Sequence, residues 1–114
     1  MSVFTMEFLS GSTNGRSVKV AATATAGTLI HTAHATAKDQ VYIWANNTDT
    51  TRRKLTIEWG GVTAPDDTHE GYIEAEDGDY FVITGWVLSG GLIVRAFADT
   101  ANVIILTGYV ERIT

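Results

Sequence analysis

Hydrophobic and polar residues alternate along much of the chain. In VYIWANN (41–47), Val41, Ile43 and Ala45 fall on one face and Tyr42 and Trp44 on the other. In RKLTIEWG (53–60), Leu55, Ile57 and Trp59 oppose Lys54, Thr56 and Glu58. A period of two is the strand period, because successive side chains of an extended backbone point to opposite faces. The polar run NNTDTTR between the two segments is rich in residues that bond their own backbone. The spacing therefore predicts a β-hairpin over 41–59.

The second half repeats this grammar. The runs THEGYIEA (68–75), YFVITGWVL (80–88), LIVRAFA (92–98) and VIILTGYVERI (103–113) are separated by the short turns EDGD, SGG and DTAN. Strand-length runs joined by tight turns predict a meander. The longest irregular piece is GGVTAPDDTHEG (60–71), where Pro65, Asp66 and Asp67 mark a loop or a sheet crossing.

The segment VAATATAGTLIHTAHATA (20–37) is ambiguous, since Ala favours helix and Thr favours strand. Its large apolar residues are only Leu29 and Ile30, so a helix would have almost no stripe to bury. Thr23, Thr25, Thr28, Thr32 and Thr36 lose rotamer freedom in a helix and fit a pleated surface. Just upstream, Val18, Val20 and Ala22 alternate with Ser17, Lys19 and Ala21. Two strands are expected, about 16–24 and 28–35, with the turn at Ala26-Gly27. Their small side chains suit close approach to a second sheet or to a neighbouring subunit.

Together these elements predict an all-β fold: a β-sandwich or jelly-roll-like domain of about eight short antiparallel strands, with an extended N-terminal segment. Residues 1–114 form one domain, with 1–15 expected as an N-terminal arm. The composition agrees, since 45 % hydrophobic residues in 114 suffice for one core. With no Cys, a disulfide framework, a thiolate metal site and a Cys nucleophile are excluded. A net charge of −5 argues against a nucleic-acid partner, because phosphate contacts need a basic face. Apolar runs do not exceed five residues, far below the roughly 20 that span a bilayer, so no membrane partner is expected. The N-terminal residues lack a basic region followed by an apolar stretch, so no secretory leader is expected either.

Candidate chemistry is sparse. His31 and His34 are three apart, which on a strand places them on opposite faces, so ordinary polar or edge histidines are expected rather than a metal pair. The acidic residues Asp66, Asp67, Glu70, Glu74, Glu76, Asp77 and Asp79 crowd 66–79 without the spacing of an EF-hand loop, and a solvated rim is the plainer reading. Arg52, Arg53 and Lys54 form the only basic run; a solvated turn is the plainer reading, and docking on an acidic partner or on the acidic stretch of another subunit is the alternative. The nucleophile-elbow, phosphate-loop and dinucleotide-binding patterns are absent, so no enzyme and no cofactor are expected. Trp44, Trp59, Tyr72, Tyr80, Phe81, Trp86 and Tyr109 either line a sugar-binding face or fill a core or a subunit interface.

Three stretches carry a resemblance: GRSVKVAATATAGTLIHTA (15–33), YIWANNTDTTRRKLTIEWGG (42–61) and GLIVRAFADTANVIILTGYVERI (91–113). They resemble small structural proteins of tailed bacteriophages, through a G-R-x-(I/V)-K-V-A-A-T opening, a strand ending E-W-G-G and a closing G-Y-V-x-R-I. The likeness covers most of the chain, and its motifs are structural rather than catalytic. It implies a non-enzymatic virion component, a capsid decoration or cement protein on the outer shell. It further implies the major capsid protein as partner, self-association as a homotrimer, and assembly in the host cytoplasm. A tail, neck or head-fibre protein is the nearest alternative, and a carbohydrate-binding sandwich module is the alternative from another class. The expected interface residues are Phe4, Met6 and Phe8, with Arg16 and Lys19 in the N-terminal segment and the basic run Arg52, Arg53 and Lys54.

Overall fold

The computed structural model describes residues 3–114. Among them the chain forms nine strands and no helix: β1 (Phe4–Phe8), β2 (Val18–Lys19), β3 (Thr28–Thr32), β4 (Lys38–Asn47), β5 (Arg53–Trp59), β6 (Thr68–Ile73), β7 (Asp79–Leu88), β8 (Ile93–Ala98) and β9 (Ile104–Ile113). They build two antiparallel sheets. One has the order β1-β9-β4-β7, with β2 also on β9, and the other has the order β3-β8-β5-β6. The all-β sandwich expected from the alternation is the fold observed.

The alternation also sorts the core. Val41, Ile43 and Ala45 of β4, Ile104, Leu106 and Val110 of β9, Leu55 and Ile57 of β5, and Val94 and Ala96 of β8 are all buried between the sheets. Trp59 joins this inner face and meets Trp86 edge-on, with ring centroids 5.3 Å apart. The core is therefore aliphatic, with partly buried aromatic residues at its margins.

The connections differ from the expected ones. β4 and β5 do not form a hairpin: β4 lies in the five-stranded sheet and β5 in the four-stranded sheet. The polar run between them is a corner that crosses the core. Asn47 holds it, because its buried amide donates to the carbonyls of Thr51 (3.0 Å) and Ile73 (2.9 Å) while its oxygen accepts the N–H of Asp49 (2.9 Å). The expected meander is also corrected. β5 and β6 pair with each other, but β6, β7, β8 and β9 then alternate between the sheets. A tight polar turn reads the same whether the next strand pairs with its predecessor or crosses to the facing sheet.

The Ala/Thr-rich region is extended but less regular than expected. Only Val18–Lys19 and Thr28–Thr32 are strands, and they pair with β9 and β8 rather than with each other. Residues 20–27 run across the sheet ends, where Val20 and Ala22 exchange backbone hydrogen bonds with Ile104, Asn102 and Ala98. The small residues do permit close approach, within this chain: a β carbon on Gly27 would collide with the backbone of Ala96. The same segment closes over Glu58. That carboxylate is fully buried and accepts hydrogen bonds from the Thr25 hydroxyl and from the Gly27 N–H (2.6 Å).

The N-terminal segment is not a free arm. Phe4–Phe8 pair residue by residue with Ile113–Tyr109 as the edge of the five-stranded sheet, and Leu9 enters the core. Met1 and Ser2 of the expected arm lie outside the described residues.

Candidate interaction surface

Among the described residues, no strand packs over the outer face of the five-stranded sheet, and the loop before β2 touches it only at Phe8 and Thr107. Directly opposite residues on neighbouring strands share a face. The register places Phe8 beside Tyr109, Tyr109 beside Tyr42, and Trp44 beside Phe81. The ring centroids are 4.9 Å apart for Tyr42 and Tyr109 and 4.5 Å for Trp44 and Phe81, and in both pairs the rings are near parallel. These four rings form a block spanning the three strands β9, β4 and β7. Beyond it on β1 stand Phe4, Met6 and Phe8, exposed by 69 %, 72 % and 61 %. Phe81 is 47 % exposed at the far edge. This cluster of exposed apolar groups, interleaved with Glu111 beside Met6 and Thr107 beside Trp44, has the character of an interaction site. Each stacked ring already presents a face to its neighbour, so the block offers edges and a flat top more than free ring faces.

The structure separates the expected interface residues into two groups. Phe4, Met6 and Phe8 share the outer face with the aromatic block. Arg52, Arg53 and Lys54 do not belong to it. Arg53 bonds Asp49 (2.6 Å), Lys54 reaches Glu70 (3.2 Å), and Arg52 sits 4.0 Å over the Tyr72 ring with Glu74 3.6 Å away. The basic run therefore meets the acidic stretch of its own chain across the β5–β6 pair. Arg16 is exposed in the loop before β2, and Lys19 is exposed at the end of β2 beside Ile105.

His31 corrects another expectation. It is 1 % exposed, because a bulge after Leu29 turns both Ile30 and His31 inward. Its Nδ1 accepts the N–H of Ser10 (3.0 Å), and its Nε2 donates to Asp39 Oδ2 (2.8 Å). Asp39 is also gripped by Arg112, through Nε to Oδ1 (2.7 Å) and Nη2 to Oδ2 (3.1 Å), and by the His34 N–H (3.1 Å). Burial pushes the Asp39 carboxyl up, but the hydrogen bonds from Arg112, His31 and His34 outweigh it and lower it from 3.8 to about 2. Both imidazole nitrogens are engaged and the ring is shut from solvent, so this His–Asp pair is a bolt between β3, β4 and β9 and not an available base. His34 serves a turn, its Nδ1 accepting the N–H groups of Thr36 (3.1 Å) and Ala37 (2.9 Å).

The acidic stretch is dispersed by similar local pairing. Asp67 accepts the Thr63 N–H, Asp77 the Tyr80 hydroxyl and Asp79 the Asn46 amide. No group of three or more His, Asp or Glu among the described residues is arranged to hold a metal ion. Among those residues, every buried side-chain nitrogen or oxygen has a hydrogen-bond partner, so none is left aimed at a ligand. An open slot of about 160 Å³ between Leu55, Ile57, Ile73 and Val82 is lined mainly by aliphatic groups.

A scan against protein-family models finds none that matches, and comparison with curated proteins and with solved structures finds no significant match.

Proposed function

We propose that the chain is a non-enzymatic structural protein of a tailed-bacteriophage virion, a capsid decoration protein that binds the outer surface of the shell and stabilises it. The observation that carries this reading is the uncovered apolar face made by Phe4, Met6, Phe8, Tyr42, Trp44, Phe81 and Tyr109. A rigid sandwich that exposes a flat aromatic face is built to bury that face against another protein. The biological setting, with the major capsid protein as partner and a homotrimer as the assembly, comes from the resemblance of 15–33, 42–61 and 91–113 to virion structural proteins. Many modest contacts repeated over a closed shell would supply the stabilisation by mass action and multivalency.

The test is co-sedimentation of the purified protein with undecorated shells assembled from the major capsid protein. Pelleting with the shells, and its loss in Phe81→Asp, supports the reading. A wild-type protein that stays in the supernatant overturns it in favour of a tail, neck or head-fibre role. Point changes are the right tool here. A truncation of 1–15 would remove β1 and withdraw Leu9 from the core.

A further inference from the structure

The edge strand β1 reads FTMEF, and this sequence is symmetric about Met6 in side-chain type. Among the described residues its outer edge is also unpaired, since β1 is the terminal strand of its sheet. Natural edges are commonly blunted with Lys, Pro, a bulge or a covering segment. β1 has neither Lys nor Pro, its register with β9 is unbroken from Phe4 to Phe8, and its apolar side chains are the most exposed of the chain's described large hydrophobics.

The hydrogen-bond phase decides which groups face outward. The Thr114 N–H donates to the Val3 carbonyl (3.0 Å), which makes 3 and 114 a hydrogen-bonded pair in the β1–β9 register. Bonded and non-bonded pairs alternate in an antiparallel ladder, so Thr5 and Glu7 direct their backbone groups to β9. The N–H and C=O groups of Phe4, Met6 and Phe8 therefore point to the free edge.

We propose that β1 pairs with β1 of a second copy of this chain, antiparallel and two-fold, centred on Met6. In this register Met6 faces the partner's Met6 and Phe4 faces the partner's Phe8, with all three outward-facing residues in bonded positions. Thr5 stands opposite the partner's Glu7, so no like charges meet. Shifting the register one way loses the Phe4–Phe8 pairs, and shifting it the other way sets Glu7 against Glu7, which is unfavourable. Such an isologous contact makes one continuous sheet and sets the two aromatic outer faces side by side. The contact joins two strand edges and brings together the flanks of four Phe and two Met side chains, which places it at the small end of specific interfaces. The contact is two-fold, so it is distinct from the proposed homotrimer; it joins the strand edges and leaves the tops of Phe4, Met6 and Phe8 on the outer face.

Light scattering across a concentration series should show a species of twice the 12.3 kDa chain mass. Met6→Lys places two ammonium groups opposite each other and should abolish that species. Met6 is exposed, and an unchanged thermal melt checks that the variant folds. The chain has no Cys, so a single introduced thiol reports the register directly. Under mild oxidation Met6→Cys should cross-link to itself, Phe4→Cys should not, and an equimolar mixture of Phe4→Cys and Phe8→Cys should cross-link between the two variants. A strictly monomeric protein overturns the proposal. So does an oligomer in which Met6→Cys cross-links no faster than Phe4→Cys.

Discussion

Gly108 of β9 lies directly against the carbonyl oxygen of Tyr42 on β4, with no room for a β carbon between them. The position is central, because β9 and β4 pair over ten residues and carry the outer aromatic face. Gly108→Ala must push the two strands apart, and we expect a loss of about 2 kcal/mol or more. Gly71 on β6 is the control, since a β carbon there meets nothing within 4 Å. Gly71→Ala should stay within about 0.5 kcal/mol of the parent. Urea unfolding of both variants checks the contrast, and equal midpoints would contradict it.

Asp39 should give the fold an acid-sensitive bolt. Its carboxyl is held at about 2 in the folded chain, below the ordinary 3.8. A group whose folded pKa is depressed contributes stability that is complete above the unfolded value and is lost as the pH falls through the folded one. The contribution should therefore be constant above about pH 5 and fade between pH 4 and pH 2. Asp39→Asn takes the charged acceptor from Arg112, which keeps Glu7 at 3.7 Å, and should cost about 1.5–3 kcal/mol near neutrality. Its stability should also change less than the parent's between pH 4 and pH 2. Parallel slopes for the two proteins in that window would rule out this role.

Asn47 should be irreplaceable by its acidic isostere. Both amide hydrogens point at carbonyl oxygens, of Thr51 and Ile73. Asn47→Asp replaces a donor to two acceptors with a third acceptor in a buried corner. The expected cost is about 3 kcal/mol, larger than for Asn47→Ser, because unmet buried carbonyls are costly and a nearby negative charge worsens them. Denaturation midpoints compared at unchanged slope decide the order of the two variants.

The strands were legible because each alternation is local: Val41, Ile43 and Ala45 declare an inward face without reference to the rest of the chain. Tyr42 and Trp44 were legible as the opposite face for the same reason, whereas the pairing of Phe4–Phe8 with β9 was not, and 1–15 read as an arm. What each strand pairs with was not legible. Asn47 looks like any turn Asn until Ile73 arrives from a different strand to meet it. The fate of Arg52 and Lys54 depends on the β5–β6 register, which brings Glu70 and Glu74 to them from 16 or more residues away. His31 was misread because the bulge after Leu29 breaks the period of two, and no residue type in TLIHT announces it.

The basic run and the aromatic face make opposite predictions for binding. Arg52 and Lys54 are substantially exposed and already paired within the chain, and exposed pairs contribute about 0–1 kcal/mol each. Arg52→Ala with Lys54→Ala should therefore change stability little and leave shell binding at the parent level. Phe81 stacks on Trp44 and stands 47 % exposed on the outer face. Phe81→Asp places a charge in that face and should weaken shell binding by about tenfold or more, equivalent to about 1.4 kcal/mol. The stack itself contributes about 0.5–1.5 kcal/mol, so the variant should remain folded. Binding isotherms for both variants, with circular dichroism to verify the fold, separate the two surfaces. Loss of binding on removing the two basic residues, with Phe81→Asp still binding, would move the interface from the five-stranded sheet to the β5–β6 side of the sandwich.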